Sequence, residues 1–211
     1  MKAKRTHRTE GIVAGVLFIT ATAATMASQM IVAPILDAPD ITSQIAEQRT
    51  AFTLGVILEF TNALASAGIA FALYPIIRRC AEGLAVAYLG LRILEASIGL
   101  FAASTLLALL SPIDPAVGLA LHSWGFLLVL IVFSIGTLIF YPLLYRYRLV
   151  PVVLSLWGLI GGVMLLLSCC LILLGQIETG SATDLFLSLP IWVNEMALAL
   201  WLIIRGVEVT R

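Results

Sequence analysis

Six separate stretches of this chain are apolar over the length of a membrane crossing: Gly11–Ala33, Phe52–Ile77, Gly83–Leu110, Val117–Pro142, Pro151–Leu174 and Leu189–Arg205. A helix rises about 1.5 Å per residue and a bilayer's hydrocarbon layer is about 30 Å thick, so a crossing takes about 20 apolar residues. The runs are continuously apolar rather than alternating, which selects helices over barrel strands. Of the residues, 61% are hydrophobic and 11% charged, against about 45–50% and about 25% in soluble domains. So much apolar surface needs lipid as its solvent. The expectation is an all-α polytopic membrane protein, a bundle of six transmembrane helices forming one domain over residues 1–211. The first run is too long for a cleaved leader and no A-x-A site closes it, so it is read as a retained helix.

Charge placement sets the orientation. Lys2, Lys4, Arg5 and Arg8 precede the first run, Arg78 and Arg79 follow the second, Arg146 and Arg148 the fourth, and Arg205 and Arg211 end the chain. The other connections hold Arg49 against Asp37, Asp40, Glu47, Asp114, Glu178 and Asp184. Lys and Arg collect on the cytoplasmic side, so both termini are expected there. The formal net charge is zero, which gives no argument for nucleic acid as a partner. The partners expected are the lipid bilayer and a lipophilic small molecule. Cys80, Cys169 and Cys170 lack the spacing of a metal site and read as small polarizable packing residues. No metal or other cofactor is expected.

The longest connection, near Pro34–Ala51, has room for a short amphipathic helix from Ile41. Two helix ends look alike: Tyr74-Pro75-Ile76-Ile77-Arg78 and Tyr141-Pro142-Leu143-Leu144-Tyr145-Arg146. Glu10-Gly11 and Glu82-Gly83 open the runs before them. Either the first two hairpins are copies of one unit, as in some transporters, or the same end chemistry arose twice. Gly161-Gly162 and Ala63, Ala65, Ala67 and Gly68 read as close-packing helix faces.

Ionisable groups inside spans are costly and usually face the bundle interior. Here they are Glu59 with Asn62, Arg92 with Glu95, His122, and Asn194 with Glu195. Glu59 and Asn62 share a helix face, as do Arg92 and Glu95, because residues three apart do. With the spans above, Glu59, His122 and Glu195 fall about 8–11 Å below the outer helix ends. Three carboxyls then face one certain cation, Arg92, and a second if His122 is charged. At least one Glu is expected to hold a proton or a bound cation, since the surplus negative charge is unstable in low dielectric. The bland alternatives are an intrahelical Arg92–Glu95 pair, a wet His122, and Asn62 and Asn194 as interhelical glue.

His122-Ser123-Trp124-Gly125-Phe126, Tyr145-Arg146-Tyr147-Arg148-Leu149-Val150-Pro151, Trp157-Gly158 and Leu91-Arg92-Ile93-Leu94-Glu95-Ala96 resemble the patterns of a family of small six-helix bacterial membrane proteins. That family is labelled a domain of unknown function, DUF4386. The resemblance covers nearly the whole chain. It implies a bacterial inner-membrane protein in which Arg92, Glu95 and His122 belong to the family pattern, and it brings no activity.

Two chemistries fit these residues. In the first, a membrane-embedded acid–base enzyme acts on a lipophilic substrate such as an isoprenoid, in the manner of terpene cyclases. Glu59 or Glu195 donates the proton, Arg92 keeps Glu95 ionised, and His122 or Asn194 orients the acid. Trp124, Trp192 and Phe60 face the developing cation, and Asn62 completes the pocket. In the second, the same carboxyls relay protons in a transporter or channel for a small cation. Below Arg92 the spans read as apolar, which favours a dead-end pocket. A non-catalytic lipid-binding or accessory protein is the third reading.

Overall fold

The computed structural model describes residues 5–111 and 114–209; Lys2, Lys4 and Arg211 lie outside them. Six helices are long and apolar enough to cross a membrane: α1 (Arg8–Leu36), α3 (Arg49–Ile77), α4 (Glu82–Ala108), α5 (Pro115–Arg146), α6 (Val152–Leu173) and α7 (Ala182–Arg205). The chain is a multi-pass, all-helical membrane bundle. The expected short helix is present as α2 (Ile41–Glu47). Asp40 caps it, accepting from the Ser43 hydroxyl at 2.7 Å and the Ser43 N–H at 3.2 Å. Those bonds hold the exposed Asp40 carboxyl below its ordinary range. The addition to the helical plan is an antiparallel ribbon of β1 (Arg5–His7) and β2 (Val207–Val209), with Thr6 opposite Glu208. It ties the two ends of the chain together on one face, called here the terminal face.

The spanning helices pack as a ring in chain order: α1 on α3, α3 on α4, α4 on α5, α5 on α6, α6 on α7, and α7 back on α1. Small residues set the spacing where lipid offers no hydrophobic drive for association. A Cβ on Gly15 would meet the Ala199 carbonyl oxygen at 2.6 Å, so α1 and α7 touch nearly backbone to backbone. On α6, Gly158 receives the Tyr141 ring and Gly162 receives Thr137, both from α5. Gly161, between them, faces Ile191 of α7. Two apolar clusters fill the ring. One, with Leu73, Ile76, Ile77, Leu143, Leu144 and Leu149, packs the terminal side and extends past mid-span to Cys169 and Ile191. The other, with Ile35, Ile45, Phe52, Val56 and Leu106, occupies the opposite side.

Several helix bounds differ from the expectation by a few residues, and three bear on the argument. Pro34 and Pro142 were natural stopping points, since proline lacks a donor and crowds the preceding turn. Yet α1 runs on to Leu36 and α5 to Arg146. At the other end, α7 starts at Ala182 rather than Leu189. Ser181 caps it, accepting from the Asp184 N–H at 3.3 Å. Asp184 in turn accepts from the Ser168 hydroxyl of α6 at 2.7 Å and from the Gly180 N–H at 2.8 Å. The longer α7 places Glu195 thirteen residues in, about 20 Å along the axis and near mid-span.

After α5 the chain turns through Arg148, whose φ is 49°. The Leu149 N–H bonds the Leu144 carbonyl at 3.1 Å, the long bond of a Schellman ending. Glycine normally fills this left-handed position, and does so at Gly175 after α6, with φ 66°. Arg148 is exposed, so Arg148→Gly loses no packing. It is expected to be neutral or to stabilise by up to about 1 kcal/mol, because the left-handed conformer is strained for arginine. Thermal unfolding in detergent micelles reads this directly, and clear destabilisation would contradict it.

Candidate functional site

The polar residues of the spans gather between the two apolar clusters. Arg92 and Glu95 lie on one face of α4 and pair at 3.1 Å, with their side chains 4% and 5% exposed. Arg92 also donates from Nε to the Ser66 carbonyl of α3 at 3.2 Å. Its guanidinium stands 5.4 Å from the centre of the Phe133 ring of α5. One side chain therefore links three helices. Glu95 is thirteen residues from either end of α4, at the midpoint of its span.

A second pair lies toward the face opposite the termini. Glu59 Oε2 of α3 meets His122 Nε2 of α5 at 3.0 Å, and the Ser28 hydroxyl of α1 donates to Glu59 Oε1 at 3.5 Å. The Phe126 ring, one turn along α5, stacks against the imidazole at 6.5 Å.

Glu195 completes the set and differs from the other two carboxyls. It lies within electrostatic range of Arg92 and Glu95, yet among the described residues it makes no hydrogen bond or ion pair. It lines the largest of three neighbouring cavities, about 90 Å³ in volume. Thr22 and Thr25 of α1, Asn62 of α3, Glu95 of α4, Phe126 of α5 and Trp192 of α7 share that lining. A smaller cavity of about 30 Å³ adjoins it and reaches Gln29 and Glu59. Thr25, Asn62, Ser66 and Glu95 line both. A third, of about 10 Å³, lies on the other side of Arg92 and Glu195, lined by Tyr88, Thr137 and Tyr141. The polar groups thus form a string. It starts near Glu59, ten residues inside α3, and ends at Tyr88, six residues inside α4 from the terminal face. By helical rise those points are about 15 Å and about 9 Å from their helix ends.

A family model described as "Domain of unknown function (DUF4386)" matches residues 13–206. The chain belongs to the DUF4386 family. Every group of the site lies inside the matched segment. Neither a search of curated proteins nor one of solved structures returned a match.

In this DUF4386 protein the string brings together Glu59, Asn62, Arg92, Glu95, His122, Trp192 and Glu195. Three other candidates lie elsewhere. Trp124 is 59% exposed on the outside of the bundle. It is two residues from His122, which puts it on the opposite side of α5. Phe60 packs toward the apolar cluster on the side away from the termini, about 100° around α3 from Glu59. Asn194 is fully buried and donates to the Leu154 carbonyl of α6 at 3.0 Å. Its neighbour Glu195 lines the cavity, while the Asn194 bond joins α7 to α6. The spans are also not apolar below Arg92: Tyr88 and Tyr141 are buried there.

Sequence reasoning passed over those tyrosines because each reads as a membrane-interface aromatic. It also passed over Thr22, Thr25 and Ser28 on α1, whose hydroxyls can bond their own helix and carry no signal of facing inward. Among the described residues no three His, Cys, Asp or Glu side chains gather as a metal site requires. Cys80 lies between α3 and α4, where partial burial pushes its thiol up and keeps it protonated.

Proposed function

We propose that this DUF4386 protein is a proton-coupled transporter of small cations, with Glu195 as the exchange site. One observation carries the reading. Of the three carboxyls along the string, Glu95 has Arg92 and Glu59 has His122, while Glu195 faces the main cavity with no direct partner. A bare carboxylate at that depth is strongly disfavoured. Glu195 therefore holds either a proton or a cation. One site that cannot hold both couples the release of one to the uptake of the other. The flanking polar groups supply routes: Asn62 and Glu59–His122 toward one face, Tyr88 and Tyr141 toward the other.

The charge pattern supports a cytoplasmic terminal face, in keeping with the bacterial inner-membrane location that the family resemblance implies. Arg8, Arg78, Arg79, Arg146, Arg148 and Arg205 lie toward that face and Arg49 toward the other. An acid–base enzyme for an isoprenoid is less well supported. A cavity of about 90 Å³ is smaller than the roughly 150 Å³ void that accepts benzene, so an isoprenoid does not fit whole.

The test uses purified protein in liposomes loaded with a pH-sensitive dye and held acid inside. Ammonium, methylammonium, tetramethylammonium and choline are added outside in turn. At least one is expected to drive proton efflux, and Glu195→Gln is expected to lower the initial rate at least tenfold while unfolding like the wild type. Proton movement unchanged in Glu195→Gln, or absent with every cation, would overturn the proposal.

A further inference from the structure

Resting on that reading, we infer that the preferred cation is a lipophilic primary amine, whose ammonium head reaches Glu195 from the bilayer between α1 and α7. The argument begins with how these two helices meet. Near the terminal face Gly11 and Gly15 bring α1 against Ala199 and Leu202 of α7 and Gly206 just beyond it. Further along, the main cavity lies between them, with Thr22, Thr25 and Met26 from α1 and Trp192 and Glu195 from α7. That cavity is not sealed: Met26 and Trp192 line it and are 58% and 39% exposed.

The depth of this mouth decides what passes through it. Met26 is ten residues from the end of α1 at Leu36, and Trp192 ten residues from the start of α7 at Ala182. Each is about 15 Å along its helix from the face opposite the termini. By helical rise α1 and α7 overhang a hydrocarbon layer of about 30 Å by about 7 Å and about 3 Å at each end, so the mouth opens at the level of acyl chains. Its approaches are apolar. Met30 is one turn from Met26, and Leu189 and Leu185 extend the face of Trp192 by helical spacing. All three are exposed. A hydrated ion finds no partner along that surface, whereas an alkyl chain does.

Inside, the chemistry suits an ammonium. An ammonium offers three donors. The Glu195 carboxylate and the hydroxyl oxygens of Thr22 and Thr25 can accept them. Phe126 and Trp192 line the same cavity, and aromatic rings attract cations. Arg92 does not cancel the attraction, because Glu95 neutralises it at 3.1 Å. The cavity's size fits a head group and a few methylenes, with the remaining tail lying along Met26, Met30 and Leu189.

The test measures saturable binding to the protein in nanodiscs, using dodecylamine, butylamine and dodecanol as probes, with thermal stabilisation as the readout. Dodecylamine is expected to stabilise saturably at a concentration at least tenfold below butylamine, and dodecanol not at all. Glu195→Gln is expected to weaken dodecylamine at least tenfold. Met26→Trp, which narrows the mouth, is expected to weaken dodecylamine by a larger factor than butylamine. Equal potency of the two amines, both dependent on Glu195, would overturn the lipid route and leave the exchange site standing. Amine binding indifferent to Glu195 would overturn both. Dodecanol acting like dodecylamine would show a greasy groove with no ammonium site, and sink the inference.

Discussion

Replacing Arg92 with Met is expected to destabilise the bundle by about 3–5 kcal/mol, the range for removing one partner of a buried ion pair. The size comes from what is left behind. Glu95, with its side chain 5% exposed at mid-span, would lose its counter-charge where water cannot replace it. The Ser66 carbonyl would lose its bond from Arg92, and Phe133 the cation over its ring. The matching double variant, Arg92→Met with Glu95→Leu, is expected to recover most of the loss, because two apolar side chains of similar volume leave no orphaned charge. Unfolding the variants with increasing sodium dodecyl sulfate in mixed micelles measures both. An Arg92→Met protein that unfolds with the wild type, or a double variant no better than the single one, would show that the pair is not the strut described here.

The second large effect belongs to Gly161→Val. A Cβ at position 161 would stand 2.8 Å from the Ile191 nitrogen and 2.9 Å from its Cα. Both atoms are backbone, so no rotamer change relieves the clash, and α7 must move away from α6. Overpacking of this kind costs about 1–3 kcal/mol, occasionally more. The displaced segment of α7 carries Trp192 and Glu195, and the Asn194 bond to Leu154 beside it would stretch. Cation-driven proton efflux is therefore expected to fall further than stability alone explains, with loss of flux persisting at temperatures where the variant is folded. Wild-type unfolding and wild-type flux in Gly161→Val would mean the helices have slack at this crossing.

The residues that the structure does and does not bring together follow one rule of helix geometry. Glu59 with Asn62, and Arg92 with Glu95, were legible as pairs because three residues make nearly one turn. Trp192 and Glu195 obey the same spacing and share the cavity. Trp124, Phe60 and Asn194 were expected at the site for their chemistry, and one or two residues of separation from His122, Glu59 and Glu195 swing their side chains to other faces. The depth of Glu195 went astray for a different reason. Its helix begins with Ala182-Thr183-Asp184, which looks too polar to be part of a span, and the Ser168–Asp184 bond that anchors it joins residues on different helices.

By itself the amino-acid order determined the solvent and the number of helices long and apolar enough to cross. Length and hydropathy are local sums, and a bilayer reads them segment by segment. Only the tertiary structure decided which carboxylate would be left over. That outcome depends on Arg92 reaching Glu95, on α3 and α5 bringing Glu59 to His122, and on α6 holding α7 so that Glu195 meets neither cation directly. These are distances between helices, fixed by where glycines let backbones touch.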